Sequence, residues 1–268
     1  MLGKLIKHEF KDTVRLFWPI FSLIIVLTPL FAFLMRIGID DVSNWENEAT
    51  IDFSYALQGG LVGYYLLIVG LFLGCEIMIA LRFYRTTATN EAYLTFTLPT
   101  TPGKILFSKW LIAMIYYIIS GVIALGSILL TVFVATPTSF QDMVRGFQDL
   151  ILNLDIDSFS LLTLLALVLV ASAASKILQF YAAIMLGQLF RSHRAIISIG
   201  LYIAMSVVIQ IIGTLVLIPI VFFNIFSMDM SNYSIHFFLL VIAFVCSAIA
   251  GGFYIITYLI MKKRLNVR

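Results

Sequence analysis

The sequence predicts an all-α integral membrane protein: six transmembrane helices, an N-terminal amphipathic interfacial helix, and a short cytoplasmic helix between spans two and three. Three observations predict this class. Apolar residues make up 62% of the chain and charged residues only 12%, with a mean hydropathy of +1.06. A soluble domain holds roughly 45–50% apolar and about 25% charged residues. The apolarity is gathered into six runs, each about as long as the 20 residues needed to cross a hydrocarbon core about 30 Å thick. Lysine and arginine, finally, fall almost entirely on one side of those runs.

Residues 1–15 form the first element. Leu2, Leu5, Ile6, Phe10 and Val14 share one helical face, which Phe17 continues. Lys4, Lys7, His8, Lys11, Asp12 and Arg15 share the other. That pattern predicts a helix lying in the cytoplasmic interface, with Trp18 near the headgroups. Charges recur throughout and no small-residue cleavage site follows, so a secretory signal peptide is not expected.

The spans are expected at about 16–35, 61–81, 106–134, 161–190, 195–226 and 235–261, within one transmembrane domain covering 1–268. In lipid every backbone polar group needs an internal partner, and long uniform apolar runs provide that as helices. The alternating strands of about 10 residues that a β-barrel needs are absent. Pro29 and Pro219 are expected to kink spans one and five. Gly59, Gly60 and Gly63, the Ala171–Ser175 patch, and Gly251 with Gly252 are expected to admit neighbouring helices closely. Cys75 and Cys246 each fall inside a span, so they read as small apolar packing residues.

Charge sets the orientation. Fourteen of 17 basic residues belong to the N-terminal stretch, the second-to-third connection, the fourth-to-fifth turn and the C-terminus. Arg36 and Arg145 alone lie on the other side, with ten of the 14 acidic residues. Basic short loops stay in the cytoplasm. The expected topology is therefore multi-pass in the plasma membrane, with both termini cytoplasmic. Glu76 and Lys176 are the ionisable residues inside spans, each about 22 Å below the outer surface. Equal depth and opposite sign make them a candidate intramembrane charge pair, since an unpaired charge there costs about 2.5–3.5 kcal/mol.

No catalytic constellation is visible. Gly103-Lys104 is followed by Ile105, and Leu98 stands where a phosphate-binding loop needs its first glycine. His8-Glu9 opens like a zinc-protease motif, but Asp12 replaces the second histidine. His8, His193 and His236 are scattered over both faces and cannot share a metal. The expectation is a chain that is not an enzyme, binds no cofactor itself and meets no nucleic acid.

The second-to-third connection is the most organised loop. Asn90 can cap a short helix, Glu91 favours its positive end, and Pro99 stops it. Tyr93, Leu94, Phe96 and Leu98 place four large apolar groups in an aqueous loop, a pattern expected to dock on something. From Tyr84 to Leu111 the chain reads YRTTATNEAYLTFTLPTTPGKILFSKWL. This resembles the first cytoplasmic loop of type-2 ATP-binding-cassette export permeases. Glu91, Leu94, Leu98, Pro99 and Lys109 match that family's pattern of a Glu, leucines, a Leu-Pro step and a Lys opening the third span.

The resemblance implies a permease subunit paired with a second permease (the same chain or another) and with separate cytoplasmic ATPase subunits that carry ATP and Mg. Glu91, Tyr93, Leu94, Phe96, Leu98 and Pro99 would then be the ATPase-coupling residues. A peptide-, lipid- or drug-like amphipathic substrate would move outward, with membrane lipid as a further partner. The family's last outer loop often holds a re-entrant hairpin. In this chain it would have to come from 213–234, where Gly213, Pro219 and Asn224 interrupt the fifth run. The competing expectation is a self-contained secondary carrier or channel built of three plus three spans.

Overall fold

The structure, a computed structural model, describes residues 2–42, 50–88, 101–135, 141, 145–146, 149, 156–190, 193–227 and 232–266. Among these the chain forms six long helices and no strand. They are α1 (Leu2–Val42), α2 (Thr50–Ala88), α3 (Pro102–Ala135), α4 (Ile156–Gly187), α5 (Arg194–Ser227) and α6 (Asn232–Asn266). Each contains a stretch long and apolar enough to cross a membrane, beginning with Glu9–Arg36 and ending with Ile235–Lys263. The protein is a multi-pass membrane protein.

The helices outlast the apolar runs. A helix stops where its backbone is capped or broken, whereas the run stops where charge begins. α2 accordingly continues past Arg82 and Arg85 to Ala88. α1 likewise runs without interruption through the residues read as a separate interfacial helix. No glycine or proline stands between Gly3 and Pro19 to break it. α5 is also continuous across Gly213, Pro219 and Asn224, the residues expected to interrupt it. Pro19 and Pro29 both sit inside α1, where each denies an amide donor to the carbonyl four residues before it.

Hydroxyls inside the spans are satisfied locally. Thr28 donates to the Ile24 carbonyl at 2.7 Å, Thr87 to Phe83 at 2.6 Å, Thr131 to Ser127 at 2.8 Å and Thr257 to Phe253 at 2.7 Å. Such bonds satisfy a polar side chain at membrane depth within its own helix.

Contacts divide the chain into two compact units, Lys7–Met78 with Ile115–Asn153 and Met1–Ile6 with Ile79–Met114 and Leu154–Arg268. Along the chain their borders fall within α1, α2 and α3 and in the connection between α3 and α4.

In the unit containing Lys7–Met78, glycines let α1 and α2 approach. A Cβ at Gly74 would meet Ile20, one at Gly63 would meet Phe31, and one at Gly60 would meet Met35. As the glycine number falls the partner number rises, so the two helices run antiparallel. Gly60 and Gly63 thus act as expected, while Gly59 has nothing nearby. Tyr116 of α3 stacks between Phe10 and Phe17 of α1, with ring centroids 5.5 Å and 4.6 Å away. Its hydroxyl donates to the Phe10 carbonyl at 3.2 Å. Toward the other end Tyr64 of α2 and Ser127 of α3 share a hydrogen bond of 2.9 Å.

In the other unit α4 packs against both α5 and α6. Ala173, Ala174, Ile177, Leu178, Tyr181 and Ala182 make its buried face, so the small-residue patch does admit neighbours. Phe180 stacks on Tyr202 of α5 at 4.2 Å, and Gln179 donates to Ser206 at 2.7 Å. Ser160 and His236 join the starts of α4 and α6 at 2.6 Å. Gly251 and Gly252 depart from expectation. Both are exposed, with nothing within 4 Å of an added Cβ, because the helix face they occupy is turned away from α4.

Candidate functional site

The loop singled out by sequence, with Glu91, Tyr93, Leu94, Phe96, Leu98 and Pro99, lies outside the described residues. The two legs that carry it are described, and both belong to the unit built around α4.

The first leg is the end of α2. Phe83 is buried to 2% exposure and Thr87 completely. Thr87 and Thr86 turn their hydroxyls back onto the Phe83 carbonyl at 2.6 Å and 3.2 Å. Phe83 lies flat against Tyr181 of α4, with centroids 3.8 Å apart and planes 13° apart. The second leg is the start of α3. Pro102 is its first residue, a position where the missing amide costs nothing. The Thr101 carbonyl accepts from the amides of Lys104 at 3.0 Å and Ile105 at 3.4 Å.

The same Tyr181 reaches this second leg, donating its hydroxyl to the Lys109 carbonyl at 3.3 Å. One side chain of α4 thus holds the end of α2 by its ring and the start of α3 by its oxygen. α6 contributes the remaining support. Tyr254 donates to the Gly103 carbonyl at 3.5 Å, and Tyr258 lies where a Cβ on Gly103 would meet its ring at 3.4 Å. Lys109, placed in the motif by its sequence, is buried to 6% exposure and engaged. Trp110 beside it packs on Phe107 at 5.7 Å.

The sequence pattern did not single out Phe83, Tyr181, Tyr254 or Tyr258. The available signal was spacing: Phe83 lies next to Arg82, and Tyr258 and Tyr254 lie four and eight residues before Lys262.

The arrangement clamps two helix ends with aromatic stacking and single hydrogen bonds to carbonyls. Among the described residues no group of His, Cys, Asp and Glu is placed to hold a metal ion.

Glu76 and Lys176 fall in different compact units. Glu76 is half-buried on α2 beside the fully buried Cys75 and is engaged. Lys176 is exposed, off the buried face of α4.

The turn from α4 to α5 is tight. His193 takes a left-handed φ of 50°, and its carbonyl accepts the Ile197 amide at 3.0 Å. Gly187 lies so close to Ser198 that an added Cβ would meet the serine Cα at 2.9 Å.

No protein-family model matches the chain, and no curated protein or solved structure is significantly similar to it.

Proposed function

We propose that this chain is the membrane-spanning permease subunit of an ATP-binding-cassette exporter. It sits in the plasma membrane with both ends of the chain on the cytoplasmic side, paired with a second permease, identical or not. Separate cytoplasmic ATPase subunits bind ATP and Mg, and a peptide-, lipid- or drug-like amphipathic molecule moves outward. The observation that carries this reading is the segment from Glu91 to Lys109, where a Glu, spaced leucines and Leu98-Pro99 precede span three and a buried Lys109 opens it.

Two further features support it. The basic residues collect on the side where this segment lies. The legs of the segment are also fixed to α4 and α6 through Tyr181, Tyr254 and Tyr258. A push on the loop from an ATPase therefore passes into the membrane helices and is not absorbed by slack chain. In this mechanism the apolar side chains of Tyr93, Leu94, Phe96 and Leu98 seat in the ATPase, and Glu91 and Pro99 bound the short coupling helix. The amphipathic face of residues 1–15, at the cytoplasmic end of α1, is a second contact with the ATPase.

The test is purification of the tagged chain from native membranes with assay of bound ATPase and substrate-stimulated ATP hydrolysis. Leu94→Asp and Phe96→Asp are expected to lose both while leaving membrane insertion intact, since an apolar anchor in a partner pocket contributes about 2 kcal/mol or more. Thr101→Ser keeps the backbone carbonyl that caps α3 and is expected to change neither. Normal ATPase association in both Asp variants, or none in the parent, overturns the reading in favour of a self-contained carrier.

A further inference from the structure

α5 and α6 both pack on α4, and between them runs a groove of about 400 Å³ open at the protein surface. Leu201, Met205, Ile209 and Ile212 line one wall, and Phe253 and Ile256 the other. These recur at helical spacing along one face of each helix, and no polar side chain interrupts either wall.

The groove has a direction. Only residues 228–231 separate α5 from α6, so the two run antiparallel, and the start of α5 lies at the same level as the end of α6. Arg194 stands there on one helix, and Lys262 and Lys263 on the other, all three exposed. At 1.5 Å per residue these cations are about 9–10 Å from the near end of the groove, which then continues for about 16 Å along α5. That length is about half of a hydrocarbon core about 30 Å thick, the depth of one leaflet.

We propose that this groove binds one acyl chain of an anionic phospholipid, whose phosphate is held by Arg194, Lys262 and Lys263. The site is independent of the transport reading. Charge complementarity selects the occupant. An apolar slot of one leaflet's depth under three cations matches a molecule with an apolar tail and an anionic head. A second copy of this chain inserted the same way would bring its own three cations to the mouth of the groove, and like charges would oppose it. Long basic side chains reach up to the headgroups while their stems stay apolar.

The experiment reconstitutes the full-length protein in vesicles of mixed phosphatidylcholine and phosphatidylglycerol. In each run one of the two lipids carries a photoreactive group midway along its acyl chain, and cross-linked peptides are then mapped. Labelled phosphatidylglycerol is expected to cross-link to peptides from 194–216 and 249–263 in clear excess over phosphatidylcholine. That excess should fall roughly fivefold for each cation removed in Arg194→Gln, Lys262→Gln and Lys263→Gln.

Gly252→Phe places a ring in the groove, because nothing lies within 4 Å of the glycine's Cβ position. Ala204→Phe fills it from the exposed face of α5. Each is expected to remove most α5 and α6 labelling by either lipid while the protein stays monodisperse. If one filled variant fails to fold, the other decides. Equal labelling by the two lipids overturns the proposal. So does undiminished labelling in a filled variant, or cross-linking of α5 and α6 to a second copy in place of lipid.

Discussion

At Gly187 an added methyl would meet the backbone of Ser198, with its Cα at 2.9 Å, whereas at Gly63 it would meet the edge of the Phe31 ring. A backbone cannot turn aside and a ring can. Gly187→Ala is therefore expected to cost about 1–3 kcal/mol, the usual penalty of overpacking. Gly63→Ala should cost less. Gly121→Ala, where nothing lies within 4 Å, should gain about 0.5–1 kcal/mol, since glycine is a poor helix former. Thermal unfolding of the three variants in one detergent gives the order directly. Tyr181 separates two contributions in the same way. Tyr181→Phe keeps the stack on Phe83 and loses the bond to the Lys109 carbonyl, for about 0.5–1.5 kcal/mol. Tyr181→Ala loses both and leaves a cavity, for about 3–5 kcal/mol. Combining it with Phe83→Leu should be less than additive by about 0.5–1.5 kcal/mol if the rings interact as their 3.8 Å separation indicates. In lipid these differences report packing and not transfer from water, because the surrounding tails are as apolar as the side chains they replace.

Among the helices, existence was legible and boundaries were not. Six apolar runs announced six helices because a membrane span needs little more than length and apolarity. Where each helix ends depends on caps and breakers outside the run, so α2 passes Arg85 and α1 absorbs the amphipathic first 15 residues. Pro219 and Asn224 read as interruptions because both are poor helix formers, yet α5 carries them without a break. The expected orientation concerns the connections, and labelling tests it. With Cys75 and Cys246 replaced, single cysteines at Ser43, Ser139 and Ser231 should react with an impermeant thiol reagent in intact cells. Those at Thr100 and Ser192 should react only after the membrane is opened. Labelling of Thr100 from outside would reverse the orientation. The same replacements are informative in themselves: Cys75 is fully buried and Cys246 partly, so Cys75→Ala should lower stability more than Cys246→Ala.

For the whole molecule, counting residues along a helix gives position along it and says nothing of direction around it. Glu76 and Lys176 share a depth by that count, and the fold adds that Lys176 lies off the buried face of α4. Aromatic anchors were lost for a related reason. Fourteen per cent of the chain is aromatic, and nothing in the sequence marks Tyr181 among them until the fold sets Phe83 against its ring. The use of that one ring to clamp two earlier helix ends also has a consequence in time. Tyr181 lies 72 residues after Lys109, and Tyr254 lies 151 residues after Gly103. At a synthesis rate of about 5–20 residues per second, α2 and α3 leave the ribosome roughly 4–14 s before their first clamp and roughly 8–30 s before their second. Over that interval the hairpin they form must be stabilised by the translocation machinery, by lipid or by α1. Chains stalled at residue 155 should therefore be cut between residues 89 and 100 by added protease faster than chains stalled after α4 has been inserted.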